Sequence, residues 1–217
     1  GRRATTPPTA RAWPPTAQKC DASNNAGNAL EVSEALKFLQ GKESHPRLTE
    51  CVFALGSQAL VDAGIHTDPG SAKKALSQTI SSGSALDRFS RMIHAMGSPS
   101  DFTDNPTKYL PTAPIVRPVY AKSKGHVTSF DLRKLGLSIV SLGGGRTIPE
   151  ATIDHSVGLE NIAQTGMMVG PNSDSSRPLC IIHARTEDDF NLASEKIQSA
   201  IEISDKPIAI THANPTF

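Results

Sequence analysis

"VSLGGGRTIPEATIDHSVGL", Val140 to Leu159, sets three consecutive glycines and an arginine between an apolar run and an Asp-His pair. The stretch reads either as a phosphate-cradling loop or as the end of a helix. Upstream, "DLRKLGLSIVSL" has Leu132, Leu135, Ile139 and Leu142 at helical spacing with Asp131 as its cap, so the glycines stand where a helix stops. A residue just past a helix end commonly needs a positive φ, which glycine adopts without a Cβ clash. Three glycines beside Arg146 would also let an anion approach the backbone. The stretch lacks the Lys-Ser or Lys-Thr of a P-loop and is not a G-x-G-x-x-G after a strand. Gly143 to Gly145 are therefore assigned to turn geometry and packing.

Outward from this stretch the second half alternates strands and helices. "IVRPVYA", the turn "KSKG" and "HVTSF" predict two strands with a hairpin or crossing loop, "ATIDHSVGL" and "PLCIIHAR" two more, and "TEDDFNLASEKIQSAIEIS" one long amphipathic helix capped through Thr186 and Asp189. If "TIDHSV" is extended, Asp154 and His155 point to opposite faces and do not make a catalytic pair. His183 reads as a half-buried strand residue, and the other five histidines show no metal-binding spacing. No nucleophile elbow surrounds Ser141, Ser156 or any cysteine.

The first half is helical. "NALEVSEALKFLQGK" presents Leu30, Ala35, Leu36 and Leu39, with Asn28 as cap and Gly41 as stop. "HPRLTECVFALGSQALVDAG" starts on Pro46, presents Leu48, Cys51, Val52, Leu55 and Leu60, and closes at Gly64. A third helix covers about residues 71 to 82, and "SALDRFSRMIHAMG" sets Leu86, Phe89, Ile93 and Met96 on one stripe. Pro and Gly accumulate near residues 98 to 113, where a domain boundary is expected.

Composition bounds the rest. The chain has 217 residues, 37% of them hydrophobic, enough for a substantial core. A net charge of +1 gives no global field for nucleic acid or an anionic membrane. Three widely spaced cysteines, Cys20, Cys51 and Cys180, fit a reducing compartment, and a cytoplasmic location is expected. No apolar run reaches the roughly 20 residues of a membrane span. The opening "GRRATTPPTARAWPPTAQKC" is rich in Pro, Thr and Arg, holds no acid, and predicts a disordered or non-native tail.

Taken together in order, "AGNALEVSEAL", "YLPTAP", "LGLSIVSLGGGR" and "TIDHSVGLENIAQTGMMV" resemble the C-terminal half of thymidine phosphorylase and the related pyrimidine nucleoside phosphorylases, over roughly residues 24 to 206. The resemblance implies an α/β fold of α+β character: the helical segment of a glycosyltransferase-type α/β domain, then a C-terminal α/β hammerhead-like domain. Its expected divisions are a tail at 1–23, the helical part of the central domain at 24–98, the C-terminal domain at 113–206 and a tail at 207–217.

The implied activity is that of a pentosyltransferase, thymidine plus phosphate giving thymine and 2-deoxyribose 1-phosphate. The implied partners are a pyrimidine nucleoside, phosphate and, at full length, a second copy in a homodimer, with no nucleic acid or membrane. The family's phosphate loop and base-gripping residues lie upstream of the matched region, so no catalytic or substrate-binding residue carries over. The 217 residues are accordingly expected to be a truncated, inactive member whose start comes from another reading frame or is complemented by a second polypeptide. A uridine-accepting enzyme, a non-catalytic assembly module and a phosphoribosyltransferase relative are the alternatives, and "VSLGGGR" with the downstream "SVG" argues against the last.

No organic cofactor is implied. Some bacterial members bind a monovalent cation through two backbone carbonyls before the "GNALEV" helix and a glutamate on it. The matching positions here are Ala22, Asn25 and Glu34, and tight ion binding by this chain alone is not expected. Without the resemblance, Glu31 and Glu34 read as one solvated helix face.

Overall fold

A computed structural model describes residues 23–42, 45–172 and 176–207. Ala22 and both tails, 1–22 and 208–217, lie outside the described residues. Four helices come first: α1 (Asn28–Leu39), α2 (Pro46–Asp62), α3 (Pro69–Ser81) and α4 (Ser84–Ala95). Pro46 and Pro69 open their helices, where a missing N–H costs nothing, and Gly41 and Gly64 follow α1 and α2 with φ of 65° and 69°. α3 starts two residues before the expected position because Asp68 caps it, accepting from Ser71 N at 2.9 Å. α1 departs from its expected cap. Gly27, at φ 145°, is the N-cap, and the Asn28 amide instead lies 2.6 Å from His155 Nδ1.

After a short 3-10 turn at Pro106–Lys108, the chain builds β1 (Ile115–Val119), β2 (Gly125–Phe130), α5 (Leu132–Ile139), β3 (Gly158–Glu160), β4 (Met168–Val169), β5 (Cys180–Ala184), α6 (Glu187–Ala200) and β6 (Ile201–Ser204). Two antiparallel three-stranded sheets result, ordered β1-β5-β3 and β4-β2-β6. Of the hairpin or crossing loop expected between β1 and β2, the structure has the crossing: neighbours in sequence belong to different sheets. The long helix expected over 186–204 is also corrected, since it ends at Ala200. Ile201 and Ile203 then extend and pair with Phe130 and Val127, a use suited to β-branched side chains. Of "ATIDHSVGL", only Gly158 onward is strand.

One core joins both sheets to α5 and α6. Cys180, Ile182 and Ala184 alternate inward from β5, while Ala193, Ile197 and Ala200 form the buried stripe of α6. Val127, Leu135, Leu142, Val157, Leu159 and Ile201 fill the space between. Each fully buried aliphatic side chain there contributes about 1.5–3 kcal/mol. Asp131 caps α5, accepting from Lys134 N at 3.0 Å, and Thr186 caps α6, accepting from Asp189 N at 3.1 Å, with three acidic residues in that first turn.

The helical unit is packed differently. On α1 to α4 the buried apolar side chains are Ala29, Leu36 and Ala72, whereas Leu55 is 51% and Met96 80% exposed. Val52 and Met92 are also open, so the apolar stripes read on α2 and α4 are left partly uncovered among the described residues.

Candidate site at the joint of the two units

The helical unit meets the sheets along a short strap, Ser23 to Gly27, laid on the outer edge of β3. Ala26 and Leu159 exchange two backbone hydrogen bonds of 2.8 Å, and Ile162 N donates to the Asn24 carbonyl at 2.8 Å. Asn161 N donates to Asn25 Oδ1 at 3.1 Å, and Ala29 N to the His155 carbonyl at 3.2 Å. This approach requires two glycines facing each other. A Cβ on Gly27 would lie 2.5 Å from the Val157 oxygen, and one on Gly158 would lie 2.4 Å from the Ala26 oxygen.

Beside the strap opens a polar cleft of about 320 Å³, lined among others by Asn25, Glu34, Lys37, His45, Glu160 and Asn161. Glu34, 8% exposed, lies in the second turn of α1 and accepts from the Ser23 hydroxyl. That hydroxyl also accepts from Asn25 N at 3.0 Å, and the Asn25 carbonyl oxygen lies 3.1 Å from it. Carboxylate, hydroxyl and carbonyl oxygens thus converge, and among the described residues no basic side chain forms an ion pair with Glu34. Across the cleft Glu160 pairs with His183 Nε2 at 3.1 Å. His45 Nε2 meets the Gln164 amide, while its Nδ1 is buried with no partner among the described residues.

Of the residues proposed for a cation, the structure brings Asn25 and Glu34 together, and Ala22 lies outside the described residues. Ser23 went unread as a site residue, although a serine two positions before an amide it can cap is a legible turn signal. The Glu160–His183 pair had no such signal, because it depends on β3 and β5 aligning. No three His, Cys, Asp or Glu side chains converge among the described residues. The donor set is one carboxylate with neutral oxygens, which suits a hard cation better than a transition metal.

The glycine-rich stretch sits elsewhere. Gly143 takes φ 94° in the π-helical turn Val140–Gly144 that follows α5, and its carbonyl accepts from Asp154 N at 2.9 Å. A Cβ on Gly144 would lie 2.8 Å from Ile139 Cγ2 and 3.3 Å from Val157 Cγ2. Asp154 does not orient His155. It accepts from Ser156 N and Oγ at 2.9 and 2.6 Å and from Arg185 Nε and Nη2 at 2.9 and 2.7 Å. Burial alone would raise its pKa, but the Ser156 and Arg185 hydrogen bonds outweigh that and hold the carboxyl below its ordinary value. Burial pushes the Cys180 thiol up to about 12, which removes it as a nucleophile.

Among the described residues no helix is long and apolar enough to cross a membrane. Residues 126–204, from β2 through the end of β6, match the family model described as the pyrimidine nucleoside phosphorylase C-terminal domain. Glu160, Asn161, Gln164 and His183 of the joint fall inside that match, and the Ser23 to His45 side falls outside it. Over these residues the chain is similar to the C-terminal domain of pyrimidine nucleoside phosphorylases, and the strap on β3 joins that part to a four-helix unit.

Proposed function

We propose that the chain serves in the phosphorolysis of pyrimidine deoxynucleosides, thymidine plus phosphate giving thymine and 2-deoxyribose 1-phosphate. The family match over residues 126–204 supports this reading. Such a reaction needs donors that hold phosphate and stabilise charge on the departing base. The glycine-rich stretch is engaged in packing at Gly143 and Gly144, which favours a phosphate site elsewhere. In this reading the 217 residues are catalytically silent alone and act in the cytoplasm with a phosphate-binding half, as part of a homodimer. The joint cleft takes a weakly held monovalent cation at Glu34 and Asn25, with Ala22 the further carbonyl.

Thymine release from thymidine, with uridine in parallel, tests the reading. The purified chain should be silent, and mixing it with the N-terminal half of a pyrimidine nucleoside phosphorylase should restore turnover. Release by the chain alone, or silence of a soluble, stably associated mixture, would overturn it. The exposed Val52, Leu55, Met92 and Met96 favour a second reading, a non-catalytic assembly module. That reading predicts association with the N-terminal half and no turnover.

A further inference from the structure

The strap runs antiparallel to β3, with Ala26 opposite Leu159 and Ile162 N donating to the Asn24 carbonyl. β3 in turn sets Leu159 opposite Ile182, and β5 sets Cys180 opposite Val119 of β1. Ser23 therefore stands at the same end of the sheet as Val119 and Tyr120, on the opposite edge. Three strand spacings separate them, roughly 15 Å. Residues 1–22 join the fold at that end. On the far edge, β1 and α6 bound a groove of about 490 Å³, walled by Pro118 and Tyr120 on one side and by Phe190, Asn191 and Glu195 on the other. Both walls are pinned: Gln198 donates to the Tyr120 carbonyl at 2.9 Å, and Arg117, paired with Glu187, lies 4.2 Å from the centre of the Phe190 ring. Arg117 is thus neutralised, whereas Glu195 is exposed and forms no ion pair among the described residues.

Aromatic and proline surfaces flanked by an amide and a free carboxylate suit a proline-rich segment with a basic residue. Such a segment makes no internal hydrogen bonds, so its carbonyls take side-chain donors while its rings pack on aromatic walls. The chain itself carries one. "TARAWPPTAQ", residues 9–18, places Arg11 three positions before Pro14, one turn of a polyproline helix, and residues 1–20 hold no acid. The eight residues from Pro15 to Ser23 span up to about 25 Å in that conformation, more than the crossing needs. We propose that residues 11–15 dock in the groove between β1 and α6, with Trp13, Pro14 and Pro15 against Pro118, Tyr120 and Phe190 and with Arg11 paired to Glu195. A segment expected from composition to be disordered is thereby held across the end of the sheet, and the groove is closed to other proline-rich ligands.

Trp13 is the only tryptophan in the sequence, so its fluorescence in the intact chain reports the docking directly. Acrylamide should quench it less in the chain than in a free peptide of residues 1–22, and this protection should survive dilution. Trp13→Ala removes a ring current without touching the fold. It should shift the amide resonances of Tyr120, Asn191 and Glu195 and leave those of Ile182 and Ile197 in place. Arg11→Glu and Glu195→Lys should each raise the undocked fraction by up to about fivefold, as the loss of one exposed ion pair allows. Both changes together should restore the protection of Trp13. Equal quenching in chain and peptide, or groove resonances unmoved by Trp13→Ala, would overturn the proposal. Protection lost on dilution would overturn it too, since the groove filled would then be that of a second copy.

Discussion

Substituting Gly158 with alanine adds one methyl group at the tightest point of the joint. The new Cβ would lie 2.4 Å from the Ala26 carbonyl oxygen, 2.9 Å from Gly27 Cα and 3.1 Å from Leu30 Cδ1. The nearest atoms are backbone, so no side chain can rotate away. Relief requires the strap to retreat by about 1 Å, and hydrogen bonds of this kind weaken steeply over that distance. The bonds at risk are the two between Ala26 and Leu159 and the one from Ile162 N to Asn24. At about 1 kcal/mol each, their loss destabilises the chain by about 3 kcal/mol. For a chain of this length that lowers the melting temperature by about 6–12 °C. Gly27→Ala attacks the same gap from the other side, 2.5 Å from the Val157 oxygen and 2.9 Å from Gly158 Cα. Once either methyl has lifted the strap the second has room, so the double variant should cost clearly less than the sum of the singles. Scanning calorimetry with amide exchange at Leu159 measures both effects. A Gly158→Ala protein melting within about 2 °C of wild type, with Leu159 still protected, would refute the proposed close approach.

Three further outcomes follow from the C-terminal domain. Gly144→Val should destabilise by about 2–3 kcal/mol through overpacking against Ile139 and Val157, and an unchanged melting temperature would remove the packing role given to the triple glycine. The folded-state pKa of Asp154 is depressed, so its contribution is present above the ordinary carboxylate value of 3.8 and is lost as pH falls through the lower folded value. Asp154→Asn should therefore be less stable than wild type at neutral pH and converge with it only as the pH falls below 3.8 toward the depressed folded value, and parallel stability curves through that window would contradict the Arg185 and Ser156 network. Cys180, buried and with its thiol pushed up to about 12, should resist iodoacetamide at mildly alkaline pH until denaturant is added. Native alkylation mapped to its peptide would contradict its enclosure.

Local chemistry was legible where a residue's partner lies within one turn of it. The Asp131 and Thr186 caps, Pro46 at a helix start, the glycines closing α1 and α2, and the positive φ of Gly143 in the turn that follows α5 all follow from short-range rules and appear at those residues. Misreadings arose where distant partners decide. Asn28 is a good cap by type, yet His155, 127 positions away, takes its side chain and leaves the N-cap to Gly27. Ile201 and Ile203 continue a helical period, but pairing with β2 draws them into a strand. The cleft was half legible: Glu34 and Asn25 entered through family resemblance, whereas Ser23, Glu160 and His183 join it only once the strap and the β3–β5 register exist.

The two units draw their order from different sources, and the joint connects them. In the C-terminal domain, two sheets and two helices enclose one aliphatic core, so most of its secondary structure is held by burial. The four helices bury far less, with Leu36 their largest fully buried side chain, and the rest of their apolar surface is half covered or open. Helices that short are marginal in water without packing. What α1 lacks in burial it gains in backbone bonds at its start, where the strap extends a sheet whose interior is already fixed. α1 should therefore be the best-held of the four helices and the open α4 the least, an order opposite to that expected from amphipathicity, since the stripe on α4 is the cleaner of the two.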